Sequence, residues 1–433
     1  MPDTQTILIR VSGPDRPGIT SRLMDVLGEL GATVDDVEQV VIRRHLTLGL
    51  IVRLPADASI DALRSFAEAS FGRDSGLSID VGPVDTTPTE RALGVVVTVL
   101  APDITPAHLG AVADTVAGCG GNIDRIVRLS RYPVFSYELT VLGAPIDELR
   151  TRLVVLAHDL AIDVAIQPDG LGRRSQRLVM LDVDSTLIQD EVIELLADEA
   201  GCGAEVRRIT EAAMAGELDF EAALRARVGL LAGLDGAALE RAGARVRLTP
   251  GARTFVRTLR RMGFRVAIVS GGFTAFTEPL RERLSIDHAF ANELEVVDGI
   301  VTGELVGPVV DRKRKAELLA HVAEIENIPL DQTVAVGDGA NDLDMLAAAG
   351  LGIAFNAKPV LREVADTAVN VPYLDAVLFV LGVRRSEIEA ADAADAADDE
   401  AASADADGAA DAANGDRAAE AANDASALPN EER

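Results

Sequence analysis

The chain has 433 residues, room for two to four domains, and a formal net charge of -29, with 15 acidic and 2 basic residues after position 385. A balance of that sign excludes nucleic acid and anionic membrane as the main partners, and no apolar run reaches the roughly 18 residues that a membrane helix needs. Only Cys119 and Cys202 occur and the first residues lack a secretory signal, so a disulfide framework is excluded and a cytoplasmic, soluble protein is expected.

The first elements alternate. Residues 6–11 read as a strand, and Gly13-Pro14-Asp15-Arg16-Pro17-Gly18 as a turn that opens a helix. Ile19, Leu23, Val26, Leu27 and Leu30 give that helix one apolar face, and Gly31 is placed to cap it. Strands follow over 34–42 and 46–54, then a helix over 59–71 and a strand over 77–81. The order is βαββαβ, a ferredoxin-like arrangement.

The same order returns at a spacing of about 89 residues, with Pro102-Asp103 against Pro14-Asp15 and Gly120 against Gly31. Strands are expected over 95–100, 123–129, 134–142 and 162–166, with helices around Leu109 to Val116 and over 146–160. Duplication of one module is the simplest account. Both units resemble ACT domains, small modules that bind amino acids, and the loop Asp15-Arg16-Pro17-Gly18-Ile19 carries the likeness. A glycine there permits close backbone approach to a ligand at a helix start, which also favours a carboxylate. In the second unit Pro106 stands where Gly18 stands in the first, so a ligand is expected only in the first. The expected domains are 1–84 and 90–168 for the two modules, 175–385 for a larger α/β core, and 386–433 for an acidic tail. Residues 167–175 read as a linker. The tail is rich in Ala and Asp without aromatics and is expected to be disordered.

The core begins with a short apolar run, 178–181, that reads as a buried parallel strand ending on Asp182 and Asp184. A helical insertion over about 192–247 is suited to act as a lid. A strand over 264–269 ends at Ser270-Gly271-Gly272, a hydroxyl and two flexible N–H groups that suit an anion. A hairpin is expected around Asp298-Gly299, a helix begins at Lys315, and a strand over 333–336 ends in Gly337-Asp338-Gly339-Ala340-Asn341-Asp342. The alternation implies a doubly wound parallel sheet. An acid cluster, an anion cradle and a lysine at the carboxyl ends of such strands form a specific combination. Oxygen ligands of this kind select a hard cation, with Mg²⁺ the expected cofactor, and the five histidines are scattered without zinc spacing.

This constellation resembles the haloacid dehalogenase superfamily of aspartate-nucleophile phosphatases. Glu191, the stretch Ala213 to Phe220, Arg227-Val228 and Ala335 to Asp342 resemble its phosphoserine-hydrolysing branch. Ala223 stands where that branch often has a serine, a small departure. The resemblance implies hydrolysis of O-phospho-L-serine to L-serine and phosphate, the last step of serine synthesis, through an aspartyl-phosphate. It implies Asp182 as nucleophile, Asp184 as acid and base, and a metal held by Asp182, Asp338 and the Asp184 main chain. It places Ser270, Gly271, Lys315 and Asn341 at the phosphate, Glu191 at the substrate ammonium and Arg227 at its carboxylate. Met214 and Phe220 would cover the site and Asp342 would orient the metal shell from outside. L-serine is the expected inhibitor, bound near Asp15 and Gly18, and a homodimer is the expected assembly. Two other readings stay open: a phosphatase or phosphotransferase for another small phosphate such as phosphohomoserine or a sugar phosphate, and a non-catalytic amino-acid sensor.

Overall fold

The structure is a computed structural model that describes residues 4–55, 58–61, 63–65, 76–84, 94–214, 218–357, 359–362 and 365–395, without the side chains of Arg174, Met214, Pro359 and Val360. Two compact units divide the chain, residues 1–90 and 91–433.

In the first unit, β1 (Thr4–Pro14), β2 (Thr33–Ile42), β3 (His45–Pro55) and β4 (Ser78–Pro83) form one antiparallel sheet in the order β2-β3-β1-β4. The alternation Leu46, Leu48, Leu50, Val52, Leu54 on β3 buries one face against Ile19, Leu23, Val26 and Leu27 of the helix Ile19–Glu29. Gly31 takes a left-handed φ of 66°, as the helix stop requires. Of the helix expected over 59–71, residues 60, 61 and 63–65 are helical, and the remainder lies outside the described residues.

The second unit opens with β5 (Gly94–Ala101), β6 (Asn122–Ser130), β7 (Phe135–Leu142) and β8 (Asp163–Pro168), and with helices Pro106–Gly118 and Ile146–Leu160. Pro106 is the first helical residue, after an N-cap made by the Thr105 side chain. A fixed φ and no N–H suit that position, which explains the proline where the first module has Gly18. Next come β9 (Leu178–Asp182), β10 (Arg265–Phe273), β11 (His288–Val297), β12 (Ile300–Val306), β13 (Thr333–Gly337), β14 (Leu351–Phe355) and β15 (Thr367–Val369).

Among the described residues, the eleven strands of this unit lie in a single sheet, in the order β12-β11-β10-β9-β13-β14-β15-β8-β5-β7-β6. The centre is parallel: β9 pairs with β10 and β13, and β14 with β13 and β15. Successive residues of β9 serve opposite layers. Val179 and Leu181 join the core that holds Phe255 and Phe379, whereas Leu178 and Met180 join the one that holds Leu319 and Val322. A strand buried on both faces has no polar alternation, hence its continuous apolar run.

The stretch 167–175 is not the loose linker expected from its glycines. Gln167 is buried and donates to the Val380 carbonyl at 2.9 Å, and a short helical turn, Gly172–Arg174, follows. Beside it Thr367 of β15 pairs with Ala165 of β8, and Asp163 accepts from the Asn370 main chain and side chain at 2.7 and 2.6 Å. Leu100, Leu129 and Val134 of the second module belong to the same apolar core as Val179 and Phe255.

The tail also departs from its expected disorder. Residues 385–395 are helical, Ile388 is only 2% exposed, and Asp392 accepts from Arg257 and Arg261 at 2.6 and 2.5 Å. One apolar side chain and two arginine partners hold a segment whose composition is otherwise that of a solvated tail. Residues beyond 395 lie outside the described ones.

Candidate active site

The position of Asp182 follows from β9. Its apolar residues occupy the sheet, and Asp182 is the first polar side chain as the strand emerges, still only 3% exposed. The chain then turns through Ser185 at φ 57°, a left-handed conformation that a non-glycine residue adopts at about 1 kcal/mol or more. The strained turn aims Asp184 back over the strand ends. Asp184 accepts from the Val192 N–H at 2.8 Å and from the Ser270 hydroxyl at 2.7 Å. Burial raises its pKa, against the opposing pull of those two donors. A carboxyl that holds its proton more tightly than usual is suited to give one to a leaving group.

The helix that carries Lys315 begins three residues earlier than its sequence suggests. The helix runs Arg312–Ile325, Asp311 caps it by accepting from the Arg314 N–H, and Lys315 sits in the first turn. The lysine is fully buried and bridges Asp182 and Asp342, donating to one oxygen of each at 2.7 Å. Burial alone would lower its pKa; the two carboxylates outweigh that and raise it, so the ammonium is permanent. For Asp182, burial and then the Asp342 charge push the pKa well up, with Lys315 opposing. That combination is unfavourable for an anionic nucleophile unless more positive charge joins the site.

Asp342 holds the neighbouring loop. Its second oxygen accepts from the Asp338 and Gly339 N–H groups at 3.2 and 3.0 Å. Gly337 is required by this arrangement, because a Cβ there would stand 2.5 Å from the Asp342 carboxyl carbon. Ligand atoms of Asp182, Asp338 and Asp342 lie within 4.8 Å of one another. An all-carboxylate set without histidine or sulfur fits a hard divalent cation, which would also relieve the crowding of negative charge around Asp182. Since both Asp342 oxygens already serve protein donors, Asp182 and Asp338 are the carboxylates available to hold it.

The helical insertion closes over these groups. Helices Val192–Ala200, Gly203–Met214, Phe220–Gly229 and Gly236–Arg245 follow one another, and Arg247 returns to Asp190 at 2.6 Å at the base. Between insertion and core is a cavity of about 670 Å³. Asp182, Asp184, Asp338, Asn341 and Gly271 line its floor, and Glu191, Arg227 and Phe220 its upper wall. Ser270 and Lys315 lie beneath, almost without exposure. The Met214 side chain and residues 215–217 lie outside the described residues.

Glu191 stands at the start of the first insertion helix and accepts from the Ser185 hydroxyl at 2.9 Å. Enclosure and then the neighbouring Asp184 charge push its pKa up to about 7, although the carboxyl remains open to solvent through the cavity. Arg227 donates through Nε to the Ala223 carbonyl at 3.2 Å and through Nη1 to the Thr210 hydroxyl at 3.3 Å. The cavity is thus lined by a carboxyl and a guanidinium from Glu191 and Arg227, and by the carboxylates of Asp182, Asp184 and Asp338 beside Gly271.

Several further side chains take part that the sequence analysis assigned no role. Thr210 steadies Arg227, Thr186 donates to Asp338 at 3.2 Å, and Asn292 fixes the cradle by donating to the Gly271 carbonyl at 2.8 Å while accepting from the Val310 N–H. The Ser270 hydroxyl, expected to face a phosphate, here donates to Asp184 and accepts from the Gly272 N–H at 2.7 Å. Gly272 has no room for a side chain: a Cβ would stand 2.5 Å from Val192 Cγ2. Asp15 and Gly18 lie in the separate first unit, in one exposed loop. The Asp15 N–H donates to the Arg44 carbonyl at 2.8 Å, and Gly18 has φ 90° with open space where a Cβ would point. Backbone conformation, rather than crowding, requires the glycine.

Comparison with known proteins agrees with this geometry. Residues 179–347 match the haloacid dehalogenase-like hydrolase family, and residues 5–70 and 94–167 each match an ACT domain family. The chain is 52% identical over 393 residues to a phosphoserine phosphatase of Streptomyces coelicolor, covering 90% of this chain and 95% of that protein. It is 51% identical over 399 residues to a phosphoserine phosphatase of Mycobacterium tuberculosis, covering 91% of this chain and 97% of that one. Among solved structures, a haloacid dehalogenase family hydrolase of Salmonella enterica serovar Typhi is similar with a TM-score of 0.60 at 30% identity, covering 66% of this chain and 98% of that one.

Proposed function

Because the chain belongs to the phosphoserine phosphatase family of haloacid dehalogenase-like hydrolases, we propose that it hydrolyses O-phospho-L-serine to L-serine and phosphate through an aspartyl-phosphate on Asp182. The observation that carries this reading is the Lys315 bridge between Asp182 and Asp342, set beside Asp184 at the floor of a cavity that Glu191 and Arg227 also line.

Lys315 holds one oxygen of Asp182, which leaves the other for attack on phosphorus. As the new bond forms, the phosphorus–oxygen bond to the seryl group breaks, and Asp184 protonates the departing alkoxide. Asp184, now ionised, takes a proton from water as that water attacks the phosphoaspartate. Phosphate leaves and the Asp182 carboxylate is restored. Lys315 and the N–H groups around Gly271 stabilise charge on the transferring oxygens. The Ser270 hydroxyl turns from Asp184 to a phosphate oxygen when substrate enters. Asp182, Asp338 and the Asp184 main-chain carbonyl would hold Mg²⁺, which supplies charge neutralisation between an anionic nucleophile and an anionic phosphate.

Selectivity comes from the opposite end. Glu191 takes the ammonium and Arg227 the carboxylate, while Phe220 excludes water. A substrate lacking either group leaves a charge unpaired, which argues against sugar phosphates. Phosphohomoserine keeps both groups and is a candidate second substrate. L-serine is the candidate feedback ligand at Asp15 and Gly18 of the first module. A homodimer through that module is supported by β2, an edge strand exposed along its whole length that presents Val37, Val40 and Ile42 to solvent.

The test is phosphate release from O-phospho-L-serine with Mg²⁺ or with chelator, with and without L-serine. Turnover that requires the cation and is suppressed by L-serine supports the catalytic and regulatory parts together. Turnover on other small phosphates but not on phosphoserine overturns the substrate.

A further inference from the structure

A further cavity of about 260 Å³ lies within the second unit, at the seam between the second module and the phosphatase core. It sits at the amino ends of β13, β14 and β15, beside Asp331, Leu351 and Asp366. The catalytic groups stand at the other end: β13 runs from this cavity to Asp338, a span on the order of 20 Å. The site is thus distinct from the phosphoryl pocket.

Its walls carry opposite charges. Arg150 comes from the module helix Ile146–Leu160 and Arg173 from the turn after β8; Asp169, Asp331 and Asp366 complete the ring. The Arg173 side chain is only 8% exposed and pairs with Glu138 at 2.6 Å. Arg173 also donates through Nη2 to the Val380 carbonyl at 3.4 Å and Arg150 through Nη2 to the Ile166 carbonyl at 3.3 Å, while the Nε of each is buried without an acceptor. Two orphaned guanidinium donors beside one cavity are unusual, because buried donors nearly always find an acceptor. Asp169 and Asp331 make no ion pair among the described residues, while Asp366 accepts from the Gly352 N–H at 2.8 Å.

Both arginines line the cavity, and cations in its wall suit acceptor oxygens. The ring as a whole, counting Glu138, has more carboxylates than guanidiniums, so a bare phosphate dianion would be repelled. The occupant must bring a positive group together with its oxygens. We propose that this seam pocket binds a free amino acid, its carboxylate on Arg150 and Arg173 and its ammonium on Asp169 and Asp331. Such a ligand ties a module residue to a core residue, so it stabilises the seam when bound.

Thermal unfolding of the full chain with each of the twenty standard amino acids at millimolar concentration tests this, run in parallel on wild type, Arg150→Met and Asp331→Asn. Arg150→Met keeps the apolar stem, and Asp331 is exposed on the core side, so at least one variant reports on a folded protein. At least one amino acid is expected to raise the Tm of the wild type by several degrees more than that of either variant, with turnover of phosphoserine alone unchanged in both. Shifts of equal size in all three proteins, as binding at the catalytic cavity or the first module would give, overturn the proposal. So does the absence of any shift in the wild type.

Discussion

Lys315 decides how the catalytic charges balance. A fully buried ammonium between two carboxylates cannot be removed without leaving both uncompensated, a loss of about 3–5 kcal/mol for a buried pair. Lys315→Met is therefore expected to lower the stability of the protein as well as its turnover. A variant of unchanged Tm would contradict the bridge. Glu191 gives a sign that can be checked by pH. Its pKa lies at about 7, well above the ordinary carboxyl value, so the group is neutral below that pH and gains charge above it. The neutral form is the one that the folded protein favours, so between the ordinary value and about 7 this group destabilises the fold progressively as pH rises. Ammonium binding requires the charged form. KM for phosphoserine is expected to rise as pH falls through about 7, and to lose that inflection in Glu191→Gln; the same inflection in both proteins would refute the role. Substrate phosphate titrates nearby, which is why the variant and not the profile alone carries the test. Gly272→Ala forces a methyl group against Val192 and the Ser270 hydroxyl, at about 1–3 kcal/mol, and is expected to reduce kcat more than it raises KM.

At the scale of elements, the sequence was most legible where one strand or helix carries its own pattern. β9 is an apolar run ended by two acids, and the insertion helices and the hairpin turn at Asp298 and Gly299 have local signals. Arg312, Lys313 and Arg314 precede the expected helix start at Lys315 yet are already helical; the Asp311 cap is the sign in the sequence of that earlier start. The Ser270–Asp184 and Thr186–Asp338 bonds join residues 86 and 152 positions apart, and no single-sequence period reports such pairs. β15 has three residues, too few for an alternation to show. The helix over 385–395 was hidden by composition, since its only large buried side chain is Ile388. Ending the chain after residue 384 removes that side chain and the Asp392 contacts, which is expected to destabilise the unit by about 2 kcal/mol. Ending it after 395 leaves the helix intact. Equal melting of the two truncated chains would contradict the docking of this helix.

At the scale of the molecule, the repeat of two modules was legible, but their different standing was not. The first forms its own compact unit, and the second shares both a sheet and an apolar core with the phosphatase. Sheet-edge pairing uses backbone groups, which every residue has, so it leaves no trace in composition. A chain beginning at residue 91 is expected to keep its turnover and lose suppression by L-serine. One beginning at 176 exposes the β15 edge and strips Asn370 of Asp163, and is expected to be poorly soluble. Good solubility and full activity of the shorter chain would show that the seam is dispensable.

The most direct measurement is rapid acid quench of the enzyme during turnover of phosphate-labelled phosphoserine, followed by peptide mapping. Label on the peptide around Asp182, absent in Asp182→Asn together with at least a thousandfold loss of turnover, is the predicted result. Turnover without a labelled enzyme, or label that persists in Asp182→Asn, would contradict Asp182 as the nucleophile.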